Sequence, residues 1–340
     1  MKTIIEEGEP PLKCQARSVS RKSRFSSDRR QLLQIKTILV PLDFSRASMQ
    51  ALKYTISFAE EFGSTIHLVH VQPVDEMTAI SGAGHLMLNC ADTIALMQDR
   101  LAEVQRKRDV RLWPDNCHVV SGRPFEEICK LAREIEADLI VLPTRGHSGL
   151  KHILLGSTAE RVVRYAPCPV LVLRGARHQS IILNGGADTA GLKLRKILVP
   201  VDFSKCSLAG VKYAARLAKN TGATLRLLHV VFPYTQVLGV DRVGADVTPL
   251  IETAKTAARE EMSKLMGMNF LHEVPCETEV RTGSTIDEIC GESSRPEIDL
   301  VVTSTHGRTG FKRALLGSVA EHVVRYAECP VIIIPSRGRS

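Results

Sequence analysis

Aromatic side chains are scarce: Phe, Trp and Tyr together make up 4% of the 340 residues, with a single Trp. A core with so few rings has to be aliphatic, and 44% of the chain is hydrophobic. Also missing is any apolar run near the roughly 20 residues that cross a bilayer, so no membrane partner is expected. The start of the chain offers Lys2 and then Glu6, Glu7, Glu9, Pro10 and Pro11 where a secretion signal has its apolar stretch. Those acids also count against a mitochondrial leader. The nine cysteines include no C-x-x-C pair. Their odd number and spacing argue against a zinc site or disulfide framework and for reduced, mostly buried thiols. A cytoplasmic protein is the expectation.

Three phosphate-chemistry signatures are absent as well. There is no G-x-x-x-x-G-K-[ST] loop, hence no Walker lysine or magnesium-binding hydroxyl beside it. There is no Ser-Gly-Gly-x-Asp-Ser loop and no His-x-Gly-His signature. The formal charge of +8 invites a nucleic-acid reading, but half of it sits in residues 1–34, where eight Lys/Arg face four Asp/Glu. The rest is spread thinly, with no basic stripe interleaved with base-stacking rings. A nucleic-acid partner is therefore not expected.

What the chain does contain is itself, twice. Ile38-Leu39-Val40-Pro41-Leu42-Asp43-Phe44-Ser45 returns as Ile197-Leu198-Val199-Pro200-Val201-Asp202-Phe203-Ser204. Leu154-Leu155-Gly156-Ser157 returns as Leu315-Leu316-Gly317-Ser318, and Val163-Arg164-Tyr165-Ala166 as Val324-Arg325-Tyr326-Ala327. A period near 160 residues is a domain duplication, since solenoid units are far shorter. The organisation expected is a disordered basic tail over 1–34, a domain over 35–175, a linker over 176–193 and a second domain over 194–340.

Each copy alternates short Ile-Leu-Val runs with helical patterns, the mark of parallel strands buried on both faces. Strands are predicted near 36–42, 65–71, 116–121, 138–143 and 169–174, and near 195–201, 224–231, 276–281, 298–304 and 330–335. Helices are predicted near 46–62, 90–109, 124–135 and 157–166, and near 205–221, 246–266, 284–293 and 317–327. Right-handed crossovers make each copy a doubly wound α/β sheet.

In such sheets ligands sit beyond the carboxyl ends of the strands. Asp43 and Asp202 fall there, directly after strand one. A carboxylate at that point can accept from an exocyclic amine or a ribose hydroxyl, or Asp43 or Ser45 can simply cap the next helix. After strand four of copy two comes Ser304-Thr305-His306-Gly307-Arg308-Thr309-Gly310, and then Gly317-Ser318-Val319 opens a helix. Glycines allow a backbone to approach a phosphate, and a helix start offers it unpaired N–H groups. The spacing from Gly146 to Gly156 equals that from Gly307 to Gly317, which favours a ligand over a chance flexible loop. Val71 and Val230, at the ends of the second strands, lie beside those aspartates.

These residues resemble the universal stress protein family, whose phosphate motif is Gly-x2-Gly-x9-Gly followed by Ser or Thr. Copy two matches with Ser304 in the first position, then Gly307, Gly317 and Ser318. Copy one matches with Gly146, Gly156 and Ser157, but Pro143 occupies the first position. The resemblance implies five-stranded parallel sheets of order 3-2-1-4-5 with helices on both faces. It also implies that the two halves pair through their fifth strands, with a homodimer left open.

It further implies an adenine nucleotide such as ATP, with any Mg2+ held mainly by the phosphates. In domain 2 the implied contacts are Pro200, Asp202, Val230, Ser304, Gly307, Gly317, Ser318 and Val319. In domain 1 they are Pro41, Asp43, Val71, Gly146, Gly156, Ser157 and Thr158, a site weakened by Pro143. Arg145 and Arg308 could add positive charge. His147 and His306 occupy non-equivalent positions, so a shared catalytic histidine is not expected. Cys168, Cys329, Cys129 and Cys290 read as packing residues. The expected role is a nucleotide-dependent stress-response module rather than an enzyme. The alternatives are a weak ATP hydrolase or self-phosphorylating protein, or a nucleotide-free scaffold.

Overall fold

The computed structural model describes residues 32–73, 116–144, 155–173, 194–233, 248–307 and 316–336, with single helical positions at 95 and 99. The tail up to residue 31, most of the helix expected over 90–109, Gly146 and the whole of 176–193 lie outside them.

Domain 1 carries strands β1 (Thr37–Pro41), β2 (Thr65–Gln72), β3 (Cys117–Ser121), β4 (Leu139–Pro143) and β5 (Val170–Leu173). Its helices are α1 (Arg46–Phe62), α2 (Pro124–Glu134) and α3 (Ser157–Tyr165). Domain 2 carries β6 (Lys196–Pro200), β7 (Thr224–Val231), β8 (Cys276–Thr282), β9 (Leu300–Ser304) and β10 (Val331–Ile334). Its helices are α4 (Lys205–Thr221), α5 (Thr248–Met266), α6 (Thr285–Ser293) and α7 (Ser318–Tyr326), with a short 3-10 turn at Asn269–Leu271. Local chemistry sets the bounds of α1 and α4. The Ser45 and Ser204 hydroxyls accept the amides of Ser48 and Ser207 at the start, and Gly63 and Gly222 end the helices in left-handed backbone.

Within each half the strands are parallel, in the order 3-2-1-4-5. The halves then join: β5 pairs antiparallel with β10, Leu171 opposite Ile332, so that ten strands form one mixed sheet. An apolar edge strand invites aggregation unless it is covered, and here each fifth strand covers the other. Alternation along the strands sends Leu171, Leu173, Ile332 and Ile334 into one core with α1 and α4. Val170, Val172, Val331 and Ile333 go into the core on the opposite face. Both cores therefore run unbroken across the domain boundary.

Residues of one half are also felt by the other. Burial raises the pKa of the Tyr54 hydroxyl, and Cys329 and Asp299 of domain 2 raise it further. The equivalent Tyr213 is raised by burial and by Cys168 and Asp138 of domain 1. Leu33, just ahead of β1, exchanges two hydrogen bonds with the Asn220 side chain at the end of α4.

Candidate functional site

The crevice of domain 2 opens where β6 and β9 diverge at their carboxyl ends. It holds a cavity of about 600 Å³, within the usual range for small-molecule sites. All eight residues expected in domain 2, from Pro200 to Val319, line it together with Phe203, His229 and Glu261.

The β6-to-α4 turn positions Asp202. Phe203 takes a left-handed φ of 63°, as Phe44 does at 59° in domain 1, a conformation costly for a bulky residue. Its ring packs on His229, with centroids 4.6 Å apart. His229 in turn donates from Nδ1 to the Val201 carbonyl at 2.6 Å. Asp202 Oδ1 accepts the Ser204 amide at 3.0 Å, and Asp43 does the same for Ser45. The helix cap itself thus belongs to Ser204 and Ser45, and the carboxylate stands at the crevice.

Gly307 lies against that carboxylate. A Cβ built there would be 2.6 Å from Asp202 Oδ2, closer than real side-chain contacts allow. Glycine lets the backbone pass beside the acid with the carboxylate left where it stands. Gly307→Ala should displace the carboxylate and, on the nucleotide reading proposed below, lower affinity about tenfold, roughly 1.4 kcal/mol. The melting temperature should change little, since a flexible side-chain tip can move aside. Calorimetry together with a thermal melt would check both.

The start of α7 faces the same cavity. Gly317 is its N-cap and brings no side chain to accept the first-turn amides. The amides at Ser318 and Val319 therefore present donors and the positive end of the helix dipole to the cavity. Gly317 is also held close, its amide donating to Thr305 O at 2.8 Å. Domain 1 repeats this arrangement: Gly156 caps α3 without a side-chain bond, its amide reaching Thr144 O at 2.8 Å. Ser157 and Thr158 open that helix.

The two crevices differ at strand four. The amides of Val301 and Thr305 donate to β10, so by alternation along the strand the Ser304 amide points the other way, toward β6 and the crevice. In domain 1 the amides of Ile140 and Thr144 donate to β5, and Pro143 sits in the crevice-facing position with no amide to offer. A proline in an interior strand is normally excluded. It is tolerated here because the β1–β4 pairing ends at Leu39 and Ile140. Pro41 ends β1, and Val71 lies near the carboxyl end of β2, paired with Val120. Gly146, Arg145, His147 and Arg308 lie outside the described residues.

Of the other sequence candidates, His306 lines the same cavity, and the cysteines fall outside it. His306 contacts Thr305 Oγ1 at 2.9 Å. Cys129, Cys168 and Cys329 are buried and Cys290 is half-buried; burial pushes the Cys129 thiol up to about 11, far from a reactive thiolate. Sequence reasoning missed Phe203 and His229, the pair that supports the strained turn, although Phe44 and His70 repeat it.

The sequence and the fold have counterparts. The sequence model of the universal stress protein family matches residues 34–174 and again 193–335. A universal stress protein of Mycolicibacterium smegmatis is 28% identical over 312 residues, covering 88% of this chain and 97% of that one. Universal stress protein MJ0531 of Methanocaldococcus jannaschii is 36% identical over 141 residues, covering 41% of this chain and 82% of its own. The crystal structure of a universal stress protein from Archaeoglobus fulgidus shares the fold with a TM-score of 0.62 at 21% identity, covering 90% of this chain and 100% of that one. With both halves matched and the 3-2-1-4-5 order present twice, the chain belongs to the universal stress protein family, as two of its domains in tandem.

Proposed function

We propose that domain 2 binds an adenine nucleotide such as ATP, and that the protein acts as a nucleotide-dependent regulatory module. The observation that carries this reading is the meeting, around one cavity, of the Asp202 carboxylate with the uncapped start of α7. A carboxylate suits an amine or a ribose diol, and uncapped amides suit phosphate. The presence of both in one crevice, on either side of Gly307, fits a nucleotide better than a simple anion. Any Mg2+ would be carried mainly by the phosphates.

Binding is favoured over turnover by how the lining acids are engaged. Asp202 holds the Ser204 amide, and Glu261 pairs with Lys264 at 2.7 Å. With the Asp202 carboxylate given to the ligand's amine or ribose and Glu261 held by Lys264, neither is left to orient an attacking water. Titration calorimetry of the full chain with ATP, ADP, AMP, cyclic AMP and GTP tests the reading. Saturable binding of adenine nucleotides in preference to GTP supports it, and heat from none of them overturns it. Removal of residues 1–31, which keeps Leu33 and its bonds to Asn220, should leave ATP affinity within about threefold, under 1 kcal/mol.

A further inference from the structure

The two domains differ in a row of side chains that crosses their first three strands. In domain 2 the row is Lys196, Arg226, Glu277 and Glu279, all of fixed charge. Lys196 meets Glu277 at 2.8 Å, Arg226 meets Glu277 at 3.1 Å, and Arg226 also bonds Glu279. The network continues through Arg281 to Glu279 at 2.8 Å and to the buried Glu292, which Arg295 of the helix end also holds at 3.1 Å.

Strand register identifies the matching row in domain 1. Lys196 pairs with Thr224 as Thr37 pairs with Thr65, and Leu228 pairs with Glu279 as Val69 pairs with His118. The counterparts are therefore Thr37, His67, Asn116 and His118. His67 Nδ1 lies 3.1 Å from His118 Nε2. The rings are within 10° of parallel with centroids 5.4 Å apart. At that separation, with two nitrogens in contact, they meet edge to edge rather than face to face. One nitrogen must donate and the other accept, so the bond requires at least one neutral ring.

We propose that the His67–His118 hydrogen bond is a proton-controlled fastener between β2 and β3 of the first domain, at the place where the second domain uses fixed charges. Above the ordinary histidine range the pair is neutral and bonded. When both rings are protonated, two like charges stand edge to edge at hydrogen-bond distance and the bond is gone. The groups packed around it offer only partial relief. Thr37 and Asn116 do not ionise, Glu127 on α2 pairs with Lys130, and Glu134 at the end of α2 is the carboxylate that favours a charged His118. Burial lowers the pKa of both rings, and His118 lowers that of His67 further. The unfolded chain therefore takes up protons before the folded one does. Stability is intact above about pH 6.5 and falls as the pH drops below that unfolded value. The strands concerned pair through Val71 and Val120 to their carboxyl ends at Gln72 and Ser121, so loosening them reaches the end of the sheet where Asp43 follows β1.

Hydrogen exchange on the full chain at about pH 7.5 and about pH 5.5, corrected for intrinsic rates, tests this. Acidification should cost β3 amides about fivefold more protection than β8 amides. In His67→Arg/His118→Glu, which installs the second domain's pair, the difference should vanish. His67→Gln/His118→Gln keeps hydrogen-bonding side chains that take up no proton; it should abolish the difference too, and it stands in if the charged pair does not fold. Equal acid response of β3 and β8 in the wild type, or a difference that persists in the folded variants, would overturn the proposal.

Discussion

Gly317→Asp should reduce ATP affinity at least about a hundredfold, or about 2.7 kcal/mol, without unfolding the protein. Gly317 is the N-cap of α7, with φ −61° and ψ 144°, a backbone that Asp occupies readily. Asp is a preferred N-cap, worth about 0.5–2 kcal/mol to a helix. Its carboxylate would take the amides proposed for the phosphates and set a negative charge against them. The new Cβ would sit 3.2 Å from Thr305 O, a tight fit that offsets part of the capping gain. The melting temperature should therefore stay near that of the wild type while binding is lost.

The matching Gly156→Asp serves as the control, since Gly156 caps α3 with nearly the same angles, −59° and 142°. It should change stability in the same way and ATP binding far less, because Pro143 already removes a crevice-facing amide from the first site. A hydrogen bond to a charged group is worth on the order of 1.5–3 kcal/mol, which sets the expected gap between the sites. Pro143→Gly should narrow that gap. A greater loss of ATP binding from Gly156→Asp than from Gly317→Asp would contradict the assignment of the stronger site to domain 2.

Leu171→Asp should destabilise both domains together by on the order of 3–5 kcal/mol, the scale of an uncompensated buried charge. Leu171 is fully buried in β5 and stands opposite Ile332 of β10. Its side chain lies in a core that also contains Val199 and Leu225 of domain 2. Duplication made this pairing intramolecular, which raises the effective concentration of the partner edge. Hydrogen exchange resolved by domain would read the effect: β6 and β9 should lose protection although the substitution is in domain 1. Wild-type protection in those strands would show that the halves fold independently.

The architecture was legible because its signals are local. Short Ile-Leu-Val runs alternating with helical patterns marked the strands, and the helix expected over 46–62 is α1 at Arg46–Phe62. The order 3-2-1-4-5 and the pairing of fifth strands came with the family resemblance rather than from periodicity. For the site, equal glycine spacing in two copies drew attention to the loop, but not to what a glycine at 307 leaves room for, the reason it matters there. That reason is a carboxylate 105 positions earlier in the chain, brought close only by the β6–β9 neighbourhood. The left-handed Phe44 and Phe203 carry no sequence signal, since phenylalanine is a poor choice for that backbone and is held there by a histidine from the next strand. Which residue caps the helix after Asp43 and Asp202 also needed coordinates, which give the cap to Ser45 and Ser204. The His67–His118 bond joins residues 51 apart in the chain. Only alignment of the repeats in strand register sets it against Arg226 and Glu279.

The molar ratio in a calorimetric titration of the wild-type chain with ATP tests the central claim most directly. The account predicts one tight site per chain, abolished by Gly317→Asp and retained in Gly156→Asp. Two sites of equal affinity in the wild type, or tight binding that survives Gly317→Asp, would contradict it.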